Sequence, residues 1–161
     1  PSSAASDVYK RQEFTYCFNS MPIDEYYDFK FGNLPYRSIK FKHLTTESDT
    51  SSGHVTINYS DSSKHTRETW WHNIPGHHIQ RKDLFIKTQE EPCDYKDNNY
   101  ERYYPVKTPD DRFGGIYNKY KNLREKKIEF IGRCGTYQYL DMHQVVNQSL
   151  LNVNRWIKDH E

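Results

Sequence analysis

The residues best suited to chemistry crowd into one short stretch, "IGRCGTYQYLDMHQVV", Ile131 to Val146. An apolar strand runs into Gly-Arg-Cys-Gly, then two tyrosines and an aspartate, and then a helix. A helix that begins at Asp141 turns its unpaired N–H groups and the positive end of its dipole back on this corner. Gly132 and Gly135 let the backbone come close to a ligand. Arg133 adds a planar fork of donors for a phosphate or a carbonyl. One reading is a site for an electron-rich ligand, a phosphate or the edge of a flavin ring. The plainer reading makes Asp141 only an N-cap and Tyr137 and Tyr139 packing residues. The pattern alone does not choose between them.

The elements that must hold this corner are legible around it. "KIEFIG" reads as a strand leading in. Leading out, Met142, Val145, Val146, Leu150, Val153 and Ile157 fall at helical spacing and predict an amphipathic helix. Upstream, Thr108-Pro109-Asp110-Asp111 has the form of a helix start, with a Thr cap, Pro first and acid in the first turn. Phe113, Ile116, Tyr117, Tyr120 and Leu123 continue that helix to near Lys127, weakened at Gly114-Gly115 by about 1 kcal/mol per glycine. The tail, 108–161, is therefore helix–strand–helix.

The front, 13–107, has another character. "EFTYCF" is a short β-prone run, and a helical turn is expected around Ile23 to Phe29. "YRSIKFKHL" alternates, with Ile39 and Phe41 on one face and Lys40 and Lys42 on the other, as in a half-buried strand. "HVTINYS" alternates again through Val55, Ile57 and Tyr59. The polar "TTESDTSSG" between them predicts an antiparallel hairpin. "DSSKHTRETWWHNIPGHH" reads as a junction closing on a Pro75-Gly76 turn, "DLFIKTQ" as a short strand, "EPCDYKDNN" as loop and "ERYYPV" as a brief strand. The expected fold class is α+β with an α/β tail: an antiparallel sheet, then a segment that completes a different domain.

Bulk properties narrow the classes. A chain of 161 residues is long enough for one real core. Mean hydropathy is low at −1.08, yet aromatics reach 16% with 14 tyrosines, which argues against disorder. A net charge of +1 gives no basic field for nucleic acid. Cys17, Cys93 and Cys134 lack metal-type spacing and cannot all pair with each other, which suits a reducing compartment. No apolar run approaches the roughly 20 residues of a membrane span. His72, His77 and His78 cluster without an H-E-x-x-H or Cys-His spacing, so no metal is expected. The aromatic run "NNYERYYPV" suits stacking on a glycan better than on nucleic acid, for want of a basic groove.

Residues 2–12, "SSAASDVYKRQ", are the translation of a transposase-type adapter used in preparing DNA for sequencing. Residues 1–12 are accordingly expected to be a non-native tail, as with a fusion scar, and the natural part a C-terminal piece of something longer. Without that tail, basic and acidic residues balance.

"FIGRCGTYQYLDMHQVV" closely resembles the FAD-contacting C-terminal motif of UDP-galactopyranose mutases, F-x-G-R-L-G-T-Y-x-Y-L-D-M-D/H. Three further segments agree in order. "MPIDEYYDFKFGNLPYRSIKF" is similar to G-x-I-D-x-Y-F-D-Y-x-F-G-x-L-x-Y-R-S-L-x-F, "HTRETWWHN" stands where the family has Y-T-R-I-x-E-H-K, and "YERYYPV" matches P-Y-Y-P-V/I. The resemblance covers Phe14 to about Trp156. It implies an isomerase that interconverts UDP-galactopyranose and UDP-galactofuranose through an adduct of the sugar with N5 of reduced FAD, for cell-surface polysaccharide synthesis in the cytoplasm. By the same resemblance, Arg67 contacts the diphosphate and supports the reduced flavin site, and Tyr104 and Tyr139 reach the phosphates. Asp141 lies beside the sugar and flavin. Gly132, Arg133, Tyr139, Leu140, Asp141, Met142 and His143 make the FAD contacts. Arg67 and Asp141 carry the catalytic roles. The front is expected to be the substrate domain and the tail the end of a Rossmann-like FAD-binding domain. The implied partners are the nucleotide sugar and the absent N-terminal half with its dinucleotide fingerprint and second diphosphate arginine, with a homodimer allowed.

Two departures stand out. Cys134 replaces a leucine, and "TWWHN" replaces I-x-E-H-K after the arginine. The alternative function is a non-catalytic nucleotide-sugar or glycan-binding module that kept only this half.

Overall fold

A computed structural model describes residues 14–76, 84–123 and 125–161 of the chain. The adapter-like tail, 1–12, lies outside the described residues, as do His77 and His78. The fold is mixed α/β and divides into two compact units, residues 36–103 and residues 14–35 with 104–161.

Among the described residues, four antiparallel strands make the middle unit: β2 (Tyr36–Thr46), β3 (Thr56–Asn58), β4 (Arg67–Trp70) and β5 (Phe85–Asp94), in the order β3-β4-β5-β2. The hairpin expected between β2 and β3 does not form; the two strands are separated in the sheet by β4 and β5. β2 instead pairs with β5 from Arg37↔Asp94 to Thr46↔Phe85. The physical reason is ladder length. β3 is three residues long, while β5 offers ten, so the distant partner satisfies far more backbone groups and cross-strand pairs. β5 also runs on through Glu91, Pro92 and Cys93, which sequence reading assigned to a loop. Pro92 is tolerated because it lies beyond the stretch paired with β4, which ends at Arg67↔Glu90.

Strand alternation sorts this sheet into two faces. On one, Tyr36, Ser38, Glu68 and Trp70 are buried. The cover is the turn Tyr95–Asn98 with Arg102 beyond it. Tyr95 meets Tyr36 edge-on at 6.0 Å, Asn98 donates to the Ser38 hydroxyl at 2.9 Å, and Arg102 lies over both rings. The other face is open at Phe41 and Arg67, which are 47% and 49% exposed, and closes at Thr88, which is buried with its hydroxyl bonded to His43 and Trp71. Ile39 is half-buried and Phe41 is exposed, so the apolar side of this strand is not a continuous inner face. Alternation marks two faces, but the covering segment decides which is the inside.

In the other unit, β1 (Cys17–Asn19) pairs in parallel with β7 (Ile128–Phe130). Four helices accompany them: α1 (Ile23–Tyr26), α2 (Arg112–Lys121), α3 (Gly132–Gly135) and α4 (Met142–His160). The two-residue strand β6 is Tyr104–Pro105. α2 is shorter than expected at both ends. Thr108 to Asp111 forms a turn, with Asp111 N–H on Thr108 O, and Asp111 is the N-cap. Leu123 N–H closes on Tyr120 O and ends the helix well before Lys127. Tyr120 is fully buried; its hydroxyl donates to Gly32 O at 2.7 Å and accepts from Phe31 N–H at 2.9 Å. Buried Asp24 accepts from Leu34 N–H at 2.8 Å. Together they lock the loop in which Asp28 and Phe29 take left-handed φ angles.

α3 sits tightly on this small sheet. A Cβ at Gly135 would lie 2.9 Å from Asn19 O and 3.4 Å from Phe130 Cβ. Gly135→Ala is therefore expected to destabilise by about 1–3 kcal/mol, read as a lower urea midpoint. An unchanged midpoint would show that the corner relaxes freely.

Candidate functional site

The corner after β7 is built by struts more than by its turn residues. Gly132 opens it at φ +74, a conformation that disfavours any side chain, and its N–H is held by Gln148 Oε1 of α4 at 2.8 Å. Tyr137, also at positive φ, is almost completely buried. Its hydroxyl donates to the carbonyls of Pro35 at 3.0 Å or Val106 at 2.9 Å, and Lys107 donates to its own carbonyl at 3.0 Å. Tyr117 stacks on its ring at 6.0 Å. The sequence gives Tyr137 only a packing role and Lys107 none. They are what draws the segment after β6 against the corner.

This strut brings the predicted residues together. Tyr104 and Tyr139 meet edge-to-face with ring centroids 5.6 Å apart. The Arg133 guanidinium lies 5.2 Å from the Tyr139 centroid, and its Nε–H donates to Leu140 O. Tyr139 is otherwise open to solvent, as is Met142 at 83% exposure. His143 is exposed one position further along α4. Asp141 is the N-cap of α4 in a capping box with Gln144, whose Oε1 accepts Asp141 N–H at 2.7 Å. The N-cap role of Asp141 is thus present in the structure. It does not exclude a second role, because the residue is exposed beside Tyr139 and Leu140 in the chain. An arginine stacked on a tyrosine, a second tyrosine across from it and the N-terminus of a 19-residue helix make one polar surface, with one guanidinium, suited to a ring and to phosphate oxygens.

Arg67 belongs to the other unit. It lies on β4, a strand that sequence reading took for a junction. Its neighbours follow from register. Asn58 of β3 and Glu90 of β5 stand directly across from it. Its Nε–H donates to Asn58 Oδ1 at 2.9 Å, and its guanidinium is 3.8 Å from Glu90. The side chain is 49% exposed on the open face. The period-two pattern of "RETW", with Glu68 and Trp70 inward, was the available signal for this strand.

On the covered face, Glu68 accepts from Gln89 at 2.7 Å, Lys87 at 2.8 Å and Tyr59 at 3.0 Å. Burial pushes its carboxyl up, but these three donors outweigh burial and leave it below the usual glutamate range. His72 is occupied with Asp49, 3.0 Å from its Nε2.

Most of the chain is similar to known proteins. Residues 3–139 match the family described as UDP-galactopyranose mutase. The chain is 30% identical over 162 residues to dTDP-fucopyranose mutase of Escherichia coli, covering 99% of the chain and 42% of that protein. It is 28% identical over 151 residues to a probable UDP-galactopyranose mutase of Klebsiella pneumoniae, covering 92% and 38%. It is also 28% identical over 133 residues to UDP-galactopyranose mutase of Mycoplasma genitalium, covering 80% and 32%. The chain spans about two fifths or less of the length of these curated relatives. With most of its residues matched to one family model, the chain belongs to the UDP-galactopyranose mutase family.

Proposed function

We propose that this chain supplies the nucleotide-sugar sheet and the cofactor-facing corner of a cytoplasmic mutase that interconverts UDP-galactopyranose and UDP-galactofuranose with reduced FAD, for surface polysaccharide synthesis. The observation that supports this most is the gathering of Tyr104, Arg133, Tyr139 and Asp141 at one end of α4 in a member of this family. The donor set fits a flavin and a pyrophosphate: a stacked guanidinium, two phenols, the N-terminal amides of α4, and a glycine at positive φ. In this reading the segment from α2 to α4 completes a Rossmann-like FAD-binding domain formed mostly by residues outside this chain.

Gly132, Arg133 and the N-terminal amides of α4 would hold reduced FAD, whose chemistry there would be that of a nucleophile toward the anomeric carbon, exchanged against the nucleoside diphosphate, which leaves and returns with no net redox change. Arg67 neutralises charge on the departing diphosphate through its fork of donors. The hydroxyls of Tyr104 and Tyr139 donate to phosphate oxygens and fix the sugar's orientation. Arg133 clamps the Tyr139 ring and holds the Leu140 carbonyl, so that the α4 amides present a fixed surface. Asp141 caps α4 and places one carboxylate beside the reacting sugar.

The test is the complete protein with dithionite-reduced FAD and UDP-galactofuranose, monitored by chromatography. Conversion to UDP-galactopyranose is expected; conversion of dTDP-fucopyranose alone would reassign the substrate, and no conversion of either would overturn the reading. The 161-residue chain by itself is expected to retain little flavin. Purified chain that is yellow and stoichiometrically loaded would contradict that.

A further inference from the structure

Thr88 closes the middle of the sheet face that carries Arg67, with 3% of its surface exposed. Register puts His43 of β2 across from it on one side and Thr69 of β4 on the other. Its Oγ1 accepts the indole N–H of Trp71 at 2.7 Å and lies 2.8 Å from Nδ1 of His43. A buried hydroxyl proton without an acceptor is costly. With the indole donating to Oγ1, the Thr88 proton goes to His43 Nδ1. This network assigns the tautomer: the imidazole carries its own proton on Nε2, the ring nitrogen away from Thr88.

His43 is nonetheless exposed. Fixing an exposed side chain costs rotamer entropy and adds little to a core. A ring held beforehand does lose less freedom when a ligand arrives. One part of the support is particular to this chain. Trp71 lies in the segment TWWHN, where the family pattern I-x-E-H-K has no tryptophan. The position of the ring is also telling. Two strand spacings and one two-residue step separate the backbones of His43 and Arg67, about 12 Å. A diphosphate seated on Arg67 leaves its flanking sugar and nucleoside within that span.

We propose that His43 is a further substrate-binding residue of the site that holds Arg67: its Nε2–H donates to an uncharged oxygen of the nucleotide sugar, and Thr88 and Trp71 are the residues that position the ring. The proposal rests on the reading of Arg67 as the diphosphate ligand. The acceptor oxygen belongs to the sugar or to the nucleoside.

Isothermal titration calorimetry of the complete protein with UDP and with UDP-galactopyranose tests it, beside steady-state kinetics. Glutamine places an N–H near the position of Nε2, and asparagine places its amide near that of Nδ1. His43→Gln is expected to keep Kd within about twofold, while His43→Asn keeps the Thr88 contact and weakens binding about tenfold. The loss should appear in KM with kcat unchanged, as for an interaction made equally in the ground and transition states. Loss for both ligands puts the acceptor on the nucleoside, and loss for UDP-galactopyranose alone puts it on the sugar; either supports the proposal. Wild-type affinity in His43→Asn, or equal losses in the two variants, would overturn it. Thr88→Val removes the hydroxyl and is expected to raise KM by a similar factor. A lower melting temperature in Thr88→Val with KM unchanged would make the network purely structural and overturn the positioning role. Wild-type protein that binds no nucleoside diphosphate, UDP or dTDP, removes the reading of Arg67 and this proposal with it. Wild-type binding with indifferent His43 variants removes the proposal alone.

Discussion

Arg67→Ala in the complete enzyme is expected to lower kcat/KM by about 10²–10³-fold, or about 2.7–4 kcal/mol of transition-state stabilisation. The fold is expected to survive. Arg67 is half exposed on the open face of the sheet, so its removal opens no cavity. What is lost structurally is one bond to Asn58 and a 3.8 Å contact with Glu90, together worth about 1 kcal/mol at most for groups so exposed. Arg67→Lys keeps the charge without the planar fork and should fall between. Asp141 is the companion test, with a confound that geometry removes. Asp141→Ala loses the cap of α4, about 1 kcal/mol, as well as any role beside the sugar. Asp141→Asn keeps a good cap and removes only the charge. Heavy loss of turnover in Asp141→Asn with an unchanged melting temperature would therefore belong to chemistry. If Arg67→Ala and both Asp141 variants turn over UDP-galactofuranose normally, the assignment of the site is wrong.

Glu68→Ala should have the largest effect on stability, about 3–5 kcal/mol, because it strands the Lys87 ammonium and leaves Gln89 and Tyr59 without their acceptor. Lys87 has a second contact, over the Trp70 ring at 4.8 Å, which does not replace a carboxylate. The effect reaches the site through the strand. Glu68 pins β4 from the covered face, and Arg67 projects from the open face of the same strand. The pH dependence has a definite sign. The carboxyl is held below its ordinary value in the fold, so its stabilisation is complete above the unfolded value of about 4.3 and is lost as pH falls through the lower folded value. Melting temperatures of wild type and Glu68→Gln across pH 3 to 7 should differ most at neutral pH and converge in acid. A constant gap across that range would mean that Glu68 acts by packing and not by charge.

Local chemistry makes the corner legible in the sequence alone. Gly132, Arg133, Tyr139 and Asp141 carried a family signature, KIEF formed the strand β7, and the apolar spacing after Asp141 produced α4. Each of these depends on residues a few positions apart, where φ/ψ preferences, capping and periodicity act directly. The RETW strand lay within reach of the same reasoning and was obscured by the aromatic and proline residues just after it.

The sequence by itself thus determined the family, the helix that begins at Asp141 and the group of residues offered at its start. Tertiary structure alone decided that β2 joins β5 and not β3, that Arg67 stands on the open face between Asn58 and Glu90, and that buried Tyr137 is the strut bringing Tyr104 beside Tyr139. It also decided that the apolar stripe of α4 faces outward. The reason is one of range. Alternation and helical spacing say that a segment has two sides, but which side is covered is set by a partner that arrives from a distant part of the chain.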